Sequence, residues 1–436
     1  MKKKILIITT GGTLACVQDE KGLVPGLSSK DILSYISDIT DLYDVDFLEL
    51  FQLDSANIQP SNWQAMAKTI YEQYMTYDGI VIFHGTDTMA YTSSALSFML
   101  PNIPIPIVIT GSQLSILNPL ADAVENCRCA IHMAGSGMPG IFLAFNRKVI
   151  LGTRASKVRT TSFHAFESIN YPYVGEVNSW GLDLRRSYIP GPRGKCTLET
   201  KLEEKVFLIK LVPGFDGKIF QLLYEQGYRG LIIEAFGMGG IPTLSSEVID
   251  DLKDVIQKGM IVVVKSQCPY EGSNLSLYET GKIALDAGVF QAYDMSTEAV
   301  VTKVMWILGK HWERKKIEEM FYRNLAGEIT LPDVAGNSYK GVEFLIVKNI
   351  VMYLIAVNLL AFLCFGIDKQ KAKLHQWRIS EKTLLGIAVC GGSLGAICGM
   401  RIFRHKTQHR KFAVGLPAIL LIQAIAAIVA YTVFNL

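Results

Sequence analysis

Four short, unbroken apolar runs, each ending in hydroxyl, glycine or cationic residues, constrain the fold of this chain more than any other feature. Ile5-Leu6-Ile7-Ile8 leads into Thr9-Thr10-Gly11-Gly12-Thr13, and Ile80-Val81-Ile82-Phe83 leads into His84-Gly85-Thr86-Asp87-Thr88. Ile105-Pro106-Ile107-Val108-Ile109 ends in Thr110-Gly111-Ser112-Gln113, and Ile141-Phe142-Leu143-Ala144-Phe145 leads to a basic segment ending at Ser156-Lys157. Continuous apolar runs of this length, separated by helical patterns, read as parallel strands buried on both faces. Such sheets bind ligands outside the carboxyl ends of their strands. Thr13, Thr86, Ser112, Asp87 and Lys157 are therefore expected to converge, and the chain reads as an enzyme.

The pattern divides the chain. Residues 1–185 alternate strand and helix, and residues 186–204, rich in Pro, Gly and charge, read as a linker. A second α/β unit follows over 205–332, with strands at Val206–Ile209, Gly230–Glu234 and Ile261–Val264. Both halves read as doubly wound α/β layers. Beyond a second linker at 333–345 the composition changes. From Leu345 onward there are 11 Lys/Arg against 2 acids, whereas the remainder carries 32 against 38. The acidic body gives no sign of nucleic-acid binding. The tail, 346–436, holds charge-free stretches at Asn349–Ile367 and Phe412–Leu436, and a third apolar, glycine-rich one at Thr383–Met400. Their length predicts an α-helical transmembrane domain of about three spans. Gly391, Gly395 and Gly399 form a small-residue face suited to close helix packing.

The 8 cysteines show no metal-ligand spacing and read as reduced thiols, with no metal and no cofactor expected. The basic start followed by Ile5–Ile8 superficially resembles a signal peptide, but the run is too short for one and reads as a strand.

The chemistry follows from the strand ends. A hydroxyl is a weak nucleophile at neutral pH and needs a base or a cation that favours the alkoxide. Thr86, Asp87 and Lys157 together make such a relay sensible, and the Gly11-Gly12 pair lets the backbone turn so that Thr13 faces the ligand. Singly, a threonine at a strand end is more often a helix cap, Asp87 could cap the helix that follows, and Lys157 could be solvated. Their joint placement favours the functional reading.

The residues TTGGTLA, HGTDTMAYTSSALSFML (His84 to Leu100), ITGSQ and the Ser156-Lys157 segment also resemble the bacterial L-asparaginases, specifically the cytoplasmic type I group, from Lys4 to about Thr330. The resemblance implies a two-domain asparaginase body and hydrolysis of L-asparagine to aspartate and ammonia through an acyl-enzyme. Thr13 falls on the family's nucleophilic threonine, and Thr86 and Asp87 on the second catalytic threonine and the aspartate that reads the substrate α-amino group. Lys157 falls on the catalytic lysine. Ser55 matches the serine that grips the α-carboxylate, while Gly12, Gly85 and the backbone of Ser112 would line the pocket. A homodimer or homotetramer is implied.

Two departures stand out. The family presents a lid tyrosine about ten residues after the first threonine; here that place reads Lys21-Gly22-Leu23-Val24-Pro25. Its second-domain asparagine is replaced by Gly240. Tyr270, Glu271 or Tyr278 from a partner subunit are candidate substitutes. Two rival readings follow: an amino-acid sensor with reduced catalysis, and an amidase of other specificity, such as a glutaminase or one acting on a glutaminyl adduct.

The tail resembles a family of small bacterial membrane proteins of unknown function, through FGIDKQKA (Phe365 to Ala372), WRISEKTLL (Trp377 to Leu385), GGSLGA and GMRIFRHKT (Gly399 to Thr407). The expected assembly is a cytosol-facing enzyme held on the cell membrane. Two basic loops flank the middle stretch, with Lys/Arg at 369, 371, 373, 378 and 382 and at 401, 404, 406, 410 and 411. Three spans put one of them outside; a re-entrant middle segment would put both on one side, but with the enzyme outside.

Overall fold

Along the first strand the side chains alternate between two cores. Leu6 and Ile8 enter one, with Ile80, Ile82, Ile107 and Ile109; Ile5 and Ile7 enter the other, with Val81, Phe83 and Val108. That two-sided burial is why the runs are continuous rather than alternating. The computed structural model describes residues 2–19, 22–27, 29–243, 246–331 and 340–434. By compactness the chain divides into Met1–Leu331 and Pro332–Leu436.

In the first unit an eight-stranded sheet runs in the order Gly181–Leu184, Gly175–Asn178, Lys148–Leu151, Gly140–Phe145, Pro106–Thr110, Gly79–Phe83, Lys3–Gly11, Tyr43–Leu53. The sheet is mixed, which corrects the expectation of a wholly parallel one. The five strands from Gly140–Phe145 to Tyr43–Leu53 are parallel; Lys148–Leu151 returns antiparallel, followed by the hairpin 175–184. The return is made at Asn146-Arg147, whose φ of 48° and 61° match a two-residue hairpin turn with both residues left-handed. A second sheet, Val206–Lys210, Gly230–Ala235, Ile261–Ser266 and Phe290–Gln291, is parallel throughout.

The two α/β layers form one compact unit, tied by buried charge. Arg154, sealed from solvent, pairs with Asp294 at 2.9 Å and donates to the Gly327 carbonyl at 2.6 Å. Residues 186–204 are irregular apart from the turn Arg186–Tyr188 and touch both halves, with the Glu199 amide on the Met99 carbonyl, the Arg193 amide on Asn102 and the Glu203 amide on the Met305 carbonyl.

In the second unit the long helix Lys340–Lys373 is followed by Glu381–Ile387, Ser393–Ile402 and Gly415–Phe434. Met352–Lys373 and Glu381–Ile402 are long and apolar enough to cross a membrane by length and composition. The middle stretch is not one regular helix, because Gly391 sits at φ 108° and breaks it. Residues 333–339 of the expected linker lie outside the described residues, and helix has begun by Lys340.

Candidate active site

Gly11 and Gly12 end the first strand at φ 101° and 89°, in the left-handed region that favours glycine. Space makes the same demand. A Cβ on Gly11 would lie 2.4 Å from the Leu53 carbonyl oxygen, and one on Gly12 would lie 2.4 Å from the Gly85 nitrogen. Thr13 then starts the short turn Thr13–Ala15 and is half-buried. Gly85 is equally crowded, since its Cβ would fall 2.6 Å from Ser55 Oγ. Three loops, carrying Gly12, Ser55 and Gly85, thus meet at contact distance, and each glycine is followed by one of the expected threonines.

Lys157 Nζ donates to Thr86 Oγ1 at 2.7 Å and to Asp87 Oδ1 at 2.6 Å. Lys157 is largely covered while Asp87 reaches into solvent. The lysine does not stand at the end of a main-sheet strand, as the sequence pattern suggested. It ends the short strand Ala155–Lys157, paired antiparallel with Phe166–Ser168 and reached through the return strand. Thr86 Oγ1, having accepted from Lys157, aims its own proton at Gln113 Oε1, 3.5 Å away.

Ser55 Oγ accepts from the Asp87 amide at 3.2 Å, and its carbonyl accepts from Thr88 Oγ1 at 2.7 Å. The turn Ser55–Asn57 that presents it is capped by Asp54, which accepts from the Ala56 amide. Ser112 has its hydroxyl proton committed, donating to the Leu114 carbonyl at 2.5 Å, so its side chain has no donor left for a ligand. The sequence-expected residues that share direct contacts are therefore Gly12, Ser55, Gly85, Thr86, Asp87 and Lys157.

Further supporting residues escaped the sequence reading. Gln113 donates from Nε2 to the carbonyls of Thr160 and Ser162, tying the third strand end to the loop after Lys157. Asp122 accepts from the amides of Gln113 and Leu114 and from Asn126 Nδ2; burial still pushes its carboxyl above the usual range. His84 is buried, which pushes its pKa down to about 4. Its Nδ1 lies 2.7 Å from the Gly85 carbonyl, which can only accept, so Nδ1 carries the proton. Nε2 then accepts from Thr92 Oγ1 at 2.9 Å, and that oxygen accepts from Trp63 Nε1 at 3.0 Å. Neutral His84 thereby holds the peptide before Thr86. His84 stands inside the HGTDT signature, so it was visible; its partners, Trp63 and Thr92, come from two helices and were not.

On the opposite face from Lys157's contacts, Ser156 donates to Glu298 Oε1 at 2.7 Å. Burial raises the Glu298 carboxyl, and lowers the ammonium of nearby Lys265, which lies 3.6 Å from Glu234.

At the expected lid place, Leu23 lies on Gly22–Pro25, whose backbone pairs with Cys16–Asp19; its side chain lies outside what is described. Gly240 closes a tight turn by pairing with Phe236, and Tyr270, Glu271 and Tyr278 are exposed. Among the described residues no three His, Cys, Asp or Glu side chains gather as metal ligands.

Residues 4–189 match the asparaginase N-terminal family model, residues 205–321 the glutaminase/asparaginase C-terminal domain, and residues 358–412 a family of unknown function, DUF1294. The L-asparaginase of Thermococcus kodakarensis is 40% identical over 329 residues, 75% of this chain and 99% of that protein; its structure superposes with a TM-score of 0.71. L-asparaginase I from Vibrio cholerae is 29% identical, with a TM-score of 0.69 over 76% of this chain and 100% of its own. A glutamyl-tRNA(Gln) amidotransferase subunit from Pyrococcus furiosus is 35% identical over 338 residues, 75% of this chain and 76% of that protein.

Proposed function

This chain belongs to the asparaginase family and is an amidohydrolase acting on linear amides, and on that premise we propose that it hydrolyses L-asparagine with Thr13 as nucleophile. The Thr13 hydroxyl oxygen attacks the side-chain amide carbon, the C–N bond breaks, and ammonia leaves with the threonine proton. Water then attacks the resulting ester, frees aspartate and restores the hydroxyl. Ser55 and Asp87 would hold the α-carboxylate and α-amino group, while Gly12, Gly85 and the Ser112 backbone line the pocket. Thr86, with Lys157 at 2.7 Å, would supply the cation-supported hydroxyl that manages the proton. The observation that carries the reading is that lysine, bridging Thr86 and Asp87 beside the Gly12–Gly85 contact.

The same chemistry serves other amides, and the likeness to amidotransferase subunits keeps a glutaminyl substrate as the second reading. The body works as a homo-oligomer of the type I kind, anchored in a membrane by its tail. Support for the anchor comes from the two stretches long and apolar enough to cross a membrane.

The test is ammonia release by the purified full-length protein in detergent. Turnover should be much faster on L-asparagine than on L-glutamine, because one methylene moves the carbonyl by about an ångström, and misplacement on that scale costs about a hundredfold. Release should vanish in Thr13→Ala. Asparagine binding by calorimetry without ammonia would establish the sensor instead, and a preference for L-glutamine would establish the second reading.

A further inference from the structure

Asp368 is sealed from solvent and clasped from two distant points of the tail. Its Oδ1 accepts from the Ile379 amide at 2.8 Å, its Oδ2 accepts from His405 Nε2 at 2.8 Å, and Lys406 Nζ lies 3.2 Å from Oδ2. Ile379 precedes the apolar stretch Glu381–Ile402, and His405 follows it. A straight helix of 22 residues holds its ends about 33 Å apart. No single crossing lets both ends reach one carboxylate.

The contacts with the long helix trace the path between them. From Ile379 the chain climbs away from Asp368 until Cys390, whose carbonyl accepts from Tyr353 Oη at 2.8 Å. Gly391 reverses it at φ 108°. On the return, Gly395 packs on Asn358, Gly399 on Phe362 and Phe365, and Phe403 on Gly366, stepping back towards Asp368. The stretch is a helical hairpin.

Its tip is built for a place without water. Four successive carbonyls lie at the break, and each accepts from a side chain: Ala388 and Val389 from Gln423 Nε2, Cys390 from Tyr353, and Gly391 from Asn358 Nδ2. Irregular backbone at membrane depth is tolerated only when protein satisfies it in this way. At the base, Arg404 and Lys406 hold left-handed φ of 45° and 60° on either side of His405, strain that persists only where surrounding contacts fix the loop.

We infer that the tail crosses the bilayer twice, through the charge-free Asn349–Ile367 part of the long helix and through Gly415–Phe434, while residues 379–405 enter and leave on one face and present both basic loops to anionic lipid headgroups. The inference rests on the membrane placement proposed above. All ten loop cations then lie on a single face, with the fully exposed Trp377 among them, as interfacial tryptophans lie.

Two measurements on the full chain test it. In a cysteine-free background, Trp377→Cys and Gln408→Cys, with Gln376→Cys and Thr407→Cys as a second pair, are probed in sealed vesicles with a membrane-impermeant maleimide. All four should react from the same side. Reaction of the two loops from opposite sides would overturn the hairpin and leave the membrane placement standing; full-length protein released by carbonate would overturn the placement itself. For the partner, Trp377 fluorescence is followed in vesicles containing brominated phosphatidylglycerol or brominated phosphatidylcholine, with Trp377→Phe as the blank. Quenching should be at least about twofold stronger with the anionic lipid, and equal quenching would overturn the assignment of that partner.

Discussion

Ser156 and Glu298 face each other across the two halves of the body, joined by a 2.7 Å hydrogen bond directly behind the strand that ends at Lys157. Ser156 and Lys157 point to opposite sides of that strand, as successive residues must. Holding one therefore fixes where the other's ammonium falls. Glu298 opens the helix Thr297–Leu308 of the second half, so the position of Lys157 depends on residues about 140 positions away. Ser156→Ala should lower kcat about tenfold with KM within about twofold, since small misplacements are felt in the chemical step. Ser156→Thr should recover most of it. Steady-state kinetics on all three proteins check this, and a matching rise in KM would reduce the contact to a structural one.

Lys157→Met keeps the length of the side chain and removes the donor to Thr86 and Asp87. Turnover should fall at least about a hundredfold, the scale for losing a proton-transfer group. The far-ultraviolet circular dichroism should not change. Near-normal ammonia release by this variant would remove the lysine from the mechanism.

The Gly12–Gly85 contact predicts an ordering of two alanine variants. At Gly12 a methyl meets Gly85 backbone at 2.4 Å and also sits at positive φ, so neither neighbour nor backbone can yield cheaply. At Gly85 the methyl meets Ser55 Oγ at 2.6 Å, which can rotate away, and Ser55 Cβ at 2.7 Å, which moves only if the turn Ser55–Asn57 shifts. Gly12→Ala should therefore abolish turnover and cost stability by about 1–3 kcal/mol, while Gly85→Ala, free of the positive φ, should cost less stability and raise KM by displacing Ser55. Thermal melts and kinetics measured together decide it; equal damage from both would refute the assigned role of Ser55.

The parallel strands were legible because two-sided burial writes itself as unbroken apolar runs. Tyr43–Leu53 was not, since it lies at the sheet edge, pairs with one neighbour and has none of its 11 residues fully buried. The antiparallel return was hidden for a different reason: its turn uses Asn146-Arg147, without the glycine that usually marks a left-handed hairpin. Thr13, Thr86, Asp87 and Lys157 stood out because they follow those apolar runs. Glu298 did not, because its burial and its bond to Ser156 exist only once two halves of the chain meet. The tail hairpin needed Asp368 to join two segments that composition treats alike.

His84 makes stability depend on pH in a stated direction. Burial drops its pKa from 6.5 to about 4, so the unfolded chain takes up a proton that the folded chain refuses. The neutral ring's contribution is fully present above pH 6.5 and is lost as pH falls from there to about 4, by roughly 3 kcal/mol in all. Protonation would also put a second N–H against Thr92 Oγ1, which already accepts from Trp63. Carboxylates titrate in part of the same window, so the comparison must be made against a variant that shares them. His84→Gln cannot take up this proton. It should be less stable at pH 7, through lost packing and a poorer bond to the Gly85 carbonyl, yet lose less stability between pH 6.5 and 4.5. Urea midpoints of the body's unfolding, followed by near-ultraviolet dichroism at several pH values, give the two slopes. Parallel slopes would mean that His84 takes up its proton equally in the folded and unfolded chains, and burial would not be what holds the ring neutral.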